Sequence, residues 1–274
     1  MYETILTERR GHIGVVTLNR PKLHNAFNDV LVAELNSVFE AAEHDESLHA
    51  LVLTGAGPSF CAGADTHWMR GMANASQLDN REDSLKLARL MRRLNFLDMP
   101  TIARVNGSAY GGGIGLIACC DIAIGTDDAK FALSEVKLGL VPAVISPYVV
   151  DAIGLRQARR LFVTGEVFGA EHAVDIGLLH EHVAAEQLDA RVLELVKRLQ
   201  KAGPLARRNA KRLALRVAGR SEPEQVKQDT ENADLIARLR VSDEGQEGLG
   251  AFLDKRKPDW VEESNVEDAC KEPS

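Results

Sequence analysis

Much of what marks the large special classes of protein is missing from this chain. Aromatic residues make up only 5% of its 274 residues, and no uninterrupted apolar run approaches the ~20 residues that cross a bilayer. The N-terminus, Met1-Tyr-Glu-Thr-Ile, lacks the basic and apolar regions of a secretory leader. Cysteine is scarce: of the four, Cys61, Cys119, Cys120 and Cys270, two are adjacent and do not easily bridge. No C-x-x-C or H-x-x-x-H spacing occurs, which predicts reduced thiols and argues against a zinc site. Positive charge is also short, since a net charge of −7 disfavours nucleic acid as the main partner while leaving room for a local basic patch. With 45% hydrophobic and 27% charged residues, the expectation is a cytoplasmic globular protein with one sizeable core and no membrane or metal partner.

What is abundant is glycine, and it is concentrated. The segment from Asn106 to Glu135 enters through an extended run, Thr101 to Val105, passes Gly111-Gly-Gly113, and continues into an apolar helical stretch, Ile114 to Cys120. A helix that starts on bare glycines leaves backbone N–H groups unpaired, with the positive end of the helix dipole behind them and no side chain in the way. Three readings fit: tight helix packing, a dinucleotide fingerprint, or an oxyanion hole. Gly113-Ile-Gly115-Leu-Ile-Ala118 matches G-x-G-x-x-G/A, but Asn106 to Gly112 separate it from the strand it should follow directly.

An oxyanion hole needs a second donor, and an earlier loop offers one. Leu51 to Thr54 reads as a buried strand, followed by the glycine-rich Gly55-Ala-Gly-Pro-Ser-Phe-Cys-Ala-Gly-Ala-Asp65. Phe60-Cys-Ala-Gly-Ala-Asp65, taken with Asn106-Gly107 and the three glycines, resembles the enoyl-CoA hydratase/isomerase, or crotonase, superfamily. The resemblance runs from about Val15 to Trp260 and implies an α/β fold, the crotonase (ClpP-like) superhelix of β-β-α repeats. By periodicity alone an open α/β sheet fits equally well.

Taken in order, the chain predicts a hairpin (Glu3 to Leu6 and Ile13 to Leu18), a helix capped by Asn28 or Asp29 with Leu31, Leu35, Val38, Phe39 and Ala42 inward, and the strand at Ala50 to Thr54. The polar stretch Ala73 to Arg81 reads as a loop or flap beside the site, ahead of a helix that ends before Pro100. Another helix is expected to start within Val141 to Tyr148. Gly203-Pro204 divides residues 1–202, the core with the site, from 203–274, an almost wholly helical region that in the family makes the trimer contacts. The basic run Arg207-Arg-Asn-Ala-Lys-Arg-Leu faces coenzyme phosphates, a neighbouring subunit or solvent, and Glu262 to Ser274 reads as frayed.

The resemblance implies backbone N–H donors at Ala64 and Gly112 for a thioester oxygen, each worth roughly 3 kcal/mol in an enolate-like transition state. It implies coenzyme A as part of the substrate, no permanently bound cofactor, and a homotrimer or dimer of trimers. Candidate substrate contacts are Lys22, Leu23 and His24 at the nucleotide end, with Ala62, Gly63, Asp65, Gly111 and Gly115 around the thioester. Glu135, between the apolar Phe131-Ala-Leu133 and Val136, is the expected acid/base, since apolar surroundings raise a carboxyl pKa toward neutrality.

One departure stands out. Hydratases of the family carry a further glutamate just after the three glycines, where this chain has Gly115. Ser134, Tyr110 and His67 are near in sequence and are candidates to replace it. One carboxylate suits a Δ3,Δ2-enoyl-CoA isomerase, yet the segments Gly115 to Ala123, Leu133 to Tyr148 and Gly245 to Leu249 look most like hydratases of 3-methylglutaconyl-CoA or isohexenylglutaconyl-CoA. A second carboxylate on such a substrate calls for a cation at the acyl end, for which Arg70, His67 and Arg81 are the candidates. A non-catalytic acyl-CoA- or RNA-binding protein on the same fold is the reading from another class.

Overall fold

The structure, a computed structural model, describes residues 2–261. The expectation for Glu262 to Ser274, like Cys270, lies outside them. The elements are β1 (Ile5–Arg10), β2 (Ile13–Leu18), α1 (Asp29–His44), β3 (Ala50–Gly55), α2 (Thr66–Ala73), α3 (Gln77–Phe96), β4 (Thr101–Val105), β5 (Ala109–Tyr110), α4 (Gly112–Cys119), β6 (Ile122–Thr126) and β7 (Lys130–Ala132). They continue with α5 (Ser146–Thr164), β8 (Val167–Gly169), α6 (Ala170–Asp175), β9 (Glu181–Val183), α7 (Leu188–Gln200), α8 (Pro204–Val217), α9 (Glu222–Arg240) and α10 (Asp243–Leu253).

Six strands form one sheet in the order β1-β2-β3-β4-β6-β9, and β5-β7-β8 form a second. The β1–β2 hairpin is antiparallel, with Ile5 opposite Leu18, and the remaining pairs of the large sheet are parallel. Every residue of β3 is buried, which is why its sequence is a continuous apolar run rather than an alternation. Asn28 caps α1 by accepting from the Leu31 N–H at 2.9 Å, and Leu31, Leu35, Phe39 and Ala42 are buried as the spacing predicts.

One expectation needs correction. Ala73 to Arg81 is not a flap: the Ser76 and Asp79 capping box starts α3 at Gln77. Its pattern is faint because the inward positions of the first turns, Asn80 and Ser84, are polar. The helix expected to start within Val141 to Tyr148 does so at Ser146, with Ala143, Val144 and Ile145 buried ahead of it.

The C-terminal helices dock on the body of the same chain. Arg92 of α3 pairs with Asp229 of α9, whose other oxygen accepts from Gln225 Nε2 at 2.8 Å. Ile236 and Leu249 belong to the same continuous core as Leu53, Phe131 and Val149, so that core extends across the 202/203 division. The basic run of α8 is tied inward: Lys211 bonds Asp121 at 2.9 Å, Arg212 pairs with Asp98, and Arg207 is buried with Nη1 donating to the Leu199 carbonyl. No helix among the described residues is long and apolar enough to cross a membrane.

Candidate active site

Three chain segments meet at the glycine motifs. Phe27 N–H donates to Gly63 O at 2.7 Å while its carbonyl accepts from Asp65 N–H at 2.8 Å. Tyr110 N–H donates to Cys61 O at 2.9 Å, joining the loop after β3 to the strand before α4. These pairings set Ala64 opposite Phe27 in a parallel bridge and leave the Ala64 N–H directed away from it. As the first residue of α4, Gly112 has no intrahelical acceptor for its N–H. Among the described residues, neither the Ala64 nor the Gly112 N–H has a backbone partner. Both residues line a cavity of about 310 Å³, together with Ala62, Gly63, Gly111 and Glu135. Gly111 has φ 49°, which favours glycine, and a Cβ placed there would stand 3.0 Å from Glu135 Oε1.

Glu135 follows β7 and opens a short 3-10 turn, Glu135 to Leu138. Its Oε2 is sealed from solvent without a hydrogen-bond partner among the described residues. Burial pushes its pKa up to about 7, against a small lowering by its own backbone. A carboxyl at that value holds both protonation states near neutrality, as a group that gives and takes a proton within one turnover requires. The rest of the wall is mostly apolar, with Phe27, Met69, Met72, Leu87, Val144 and Ile236 among its residues.

The other candidates are placed differently. Gly115 is buried and does not line the cavity, because a Cβ there would overlap Ile145, standing 2.9 Å from its Cβ, and lie 3.2 Å from Met91 Cε. Ile145 and Met91 therefore fill the space a side chain at this position would need. Asp65 is also outside the cavity wall: it caps α2 through His67 N–H at 2.7 Å and pairs with Arg20 at 2.7 Å. Lys22, Leu23 and His24 form an exposed turn, tied to the site where His24 O accepts from Ala62 N–H at 2.9 Å. Of the proposed replacements for the missing glutamate, Ser134 and Tyr110 line the cavity and His67 does not.

The expected cations are not on this wall either. Met69 and Met72 take the buried face of α2, which leaves His67 and Arg70 outside the cavity lining, and Arg81 is occupied by Asp234 at 2.5 Å. The cavity does contain a guanidinium, that of Arg240 at the end of α9. Sequence reasoning missed it because it lies far along the chain on a charged amphipathic helix with no local motif. Three thiols, Cys61, Cys119 and Cys120, are unbridged and buried, and burial raises Cys61 to about 12. Among the described residues, no three His, Cys, Asp or Glu side chains are grouped to hold a metal ion.

Comparison with known proteins gives consistent findings. Residues 8–263 match the enoyl-CoA hydratase/isomerase family. A crotonyl-CoA hydratase of Syntrophomonas wolfei is 33% identical over 265 residues, 95% of this chain and 98% of that protein. The 2,3-dehydroadipyl-CoA hydratase of Escherichia coli is 31% identical over 260 residues, 93% of this chain and 98% of that protein. Among solved structures, an enoyl-CoA hydratase/isomerase (crotonase) of Legionella pneumophila is 45% identical, with a TM-score of 0.77 over 94% of this chain and 99% of that one.

Proposed function

The chain belongs to the enoyl-CoA hydratase/isomerase family, with its crotonase fold, and from that premise we propose that it hydrates a branched, dicarboxylic enoyl-CoA. An enoyl-CoA hydratase is a hydro-lyase acting on a CoA thioester, and needs no cofactor for the reaction. The finer substrate reading is 3-methylglutaconyl-CoA or isohexenylglutaconyl-CoA, which places the enzyme in leucine or acyclic terpene breakdown. The observation that carries hydration is the buried Glu135 carboxyl, poised at about 7 against Gly111 in a cavity also lined by Ala64 and Gly112, whose N–H groups have no backbone partner among the described residues.

In this reading the two N–H groups hold the thioester oxygen as the enolate forms. Water oxygen bonds to the β-carbon, the π electrons move toward the thioester, and the protonated Glu135 gives its proton to the α-carbon. The proton lost by water returns to the Glu135 carboxylate, so the carboxyl ends as it began. Lys22, Leu23 and His24 are assigned to the nucleotide end of the coenzyme, and Ala62, Gly63, Asp65 and Gly111 to the walls and support of the thioester site. A homotrimer or dimer of trimers is the proposed assembly, supported by the exposed Leu205, Leu213 and Val217 along α8. Sedimentation equilibrium checks it.

The deciding experiment is turnover of 3-methylglutaconyl-CoA beside crotonyl-CoA and a 3-enoyl-CoA, followed through the conjugated thioester absorbance. Preference for the glutaconyl substrate is expected. Activity confined to the 3-enoyl compound would instead establish the isomerase reading, which the filled space beside Gly115 favours. Saturable binding of a CoA ligand without turnover of any of the three would leave a non-catalytic acyl-CoA-binding protein, or an RNA-binding one if RNA is also bound.

A further inference from the structure

Arg240 is a cation set into the mostly apolar wall of the cavity. The ionisable side chains lining that cavity are Glu135, Tyr110, Lys137 and Arg240, and of the two cations Lys137 is exposed. The Arg240 side chain keeps only 16% of its accessible surface. It enters from the end of α9 and shares the cavity wall with Met72 of α2, Leu87 of α3 and Ile236 of its own helix, whereas the glycines and Glu135 come from the β3 to β7 part of the chain. The acyl chain of a thioester held at the glycines has this cavity to fill.

The guanidinium is poorly matched within the protein. Nη1 reaches Asn80 Oδ1 at 3.3 Å and Ser84 Oγ at 3.4 Å, and its ion partner Asp83 Oδ2 lies at 3.8 Å, beyond hydrogen-bond range. Asp83 Oδ2 is itself buried without a hydrogen-bond partner. Among the described residues, Nε and Nη2 make no hydrogen bond, although that edge presents the two parallel donors that fit a carboxylate. Burial lowers the Arg240 pKa and Asp83 only partly opposes this, while burial also raises Asp83, so each charge lacks full compensation.

We propose that Arg240 is the specificity-determining residue of the cavity, receiving through its Nε and Nη2 edge the remote carboxylate of a dicarboxylic acyl thioester. The inference rests on the hydratase reading above and names the group that selects the substrate. Asp83 and the bound carboxylate compete for the same guanidinium, so the pair acts as a selectivity filter with an internal rival.

The test compares Arg240→Met, Arg240→Lys and Asp83→Asn with the unaltered enzyme. The readout is the ratio of kcat/KM for 3-methylglutaconyl-CoA to that for crotonyl-CoA. A second readout is the ratio of dissociation constants for glutaryl-CoA and butyryl-CoA, measured by calorimetry without turnover. Arg240→Met is expected to lower the preference for the dicarboxylic member of each pair roughly 10- to 100-fold, the range of a hydrogen bond to a charged group. Arg240→Lys should retain part of it, and Asp83→Asn should increase it. An equal loss for both members of a pair in Arg240→Met would overturn the proposal and leave Arg240 as a tie between α9 and α3. Should Arg240→Met fail to fold, an unchanged ratio in Asp83→Asn together with full selectivity in Arg240→Lys would also overturn it. Absence of turnover on every enoyl thioester by the unaltered enzyme would sink the hydratase reading instead, and the two dead-end ligands would still judge Arg240.

Discussion

At the scale of single residues, the acid/base role proposed for Glu135 ties chemistry to stability. Replacing it by Gln is expected to lower turnover about 10²–10⁴-fold while preserving the fold. The pH dependence follows in sign. If protonated Glu135 supplies the α-carbon proton, kcat/KM for hydration falls as pH rises through about 7, and a flat profile across neutrality would remove that role. Its folded pKa lies above that of the unfolded chain, so its contribution to stability is complete below the unfolded value and is lost as pH rises through about 7. Glu135→Gln should therefore gain roughly 3 kcal/mol relative to the unaltered protein between about pH 5 and about pH 8, read from urea denaturation at each pH.

The same scale shows what the sequence could tell. That Glu135, Ala64 and Gly112 meet on one cavity wall was legible because each sits in or directly after a local motif of glycines and apolar neighbours. Arg240 was not, because its place in the cavity depends on how a distant helix packs against α3. Gly115 was half legible: the missing glutamate showed in the sequence, but not that Ile145 and Met91 close the space behind it. Gly115→Glu should accordingly destabilise the protein by about 1–3 kcal/mol through overpacking. Combining it with Ile145→Ala should recover part of that loss, seen as non-additive midpoints in denaturant.

At the scale of elements, the strands and α1 followed from apolar runs and caps, and the failure at α3 is instructive. Its first turns bury Asn80 and Ser84, so a search for apolar periodicity finds nothing there, while the capping box at Ser76 carries the signal. The α3 and α9 pair also depends on charge, through Arg92 and the almost wholly buried Asp229. Asp229→Ala leaves the part-buried Arg92 guanidinium with only the more exposed Glu222, 3.6 Å from its Nε, and should cost roughly 3 kcal/mol. Because α9 carries Ile236 and Arg240 into the cavity, the same change should weaken binding of acyl-CoA more than binding of free coenzyme A, measured by calorimetry.

For the whole molecule, the sequence division at 202/203 does not divide the core, since Ile236 and Leu249 pack with residues of the sheet region. The two tryptophans allow a direct check. Trp68 lines the cavity and Trp260 follows α10, where it stands against Gly248. In Trp260→Phe and Trp68→Phe variants, the remaining tryptophan should report the same denaturation midpoint once each variant's own stability is allowed for, as a single cooperative unit requires. Separate transitions would mean that the C-terminal helices unfold on their own.

The position of Cys61 gives this unit a built-in clock. Its backbone joins the two glycine loops, and its thiol, held near 12 and sealed from solvent, is unreactive while they stay together. Alkylation of Cys61 therefore has to wait for the loops to part, and its rate measures how often that happens. A substrate analogue that slows labelling at Cys61 while leaving Cys119 and Cys120 unaffected would show that ligand binding rigidifies the two glycine loops locally; slowing at all three would show that it holds the entire body shut.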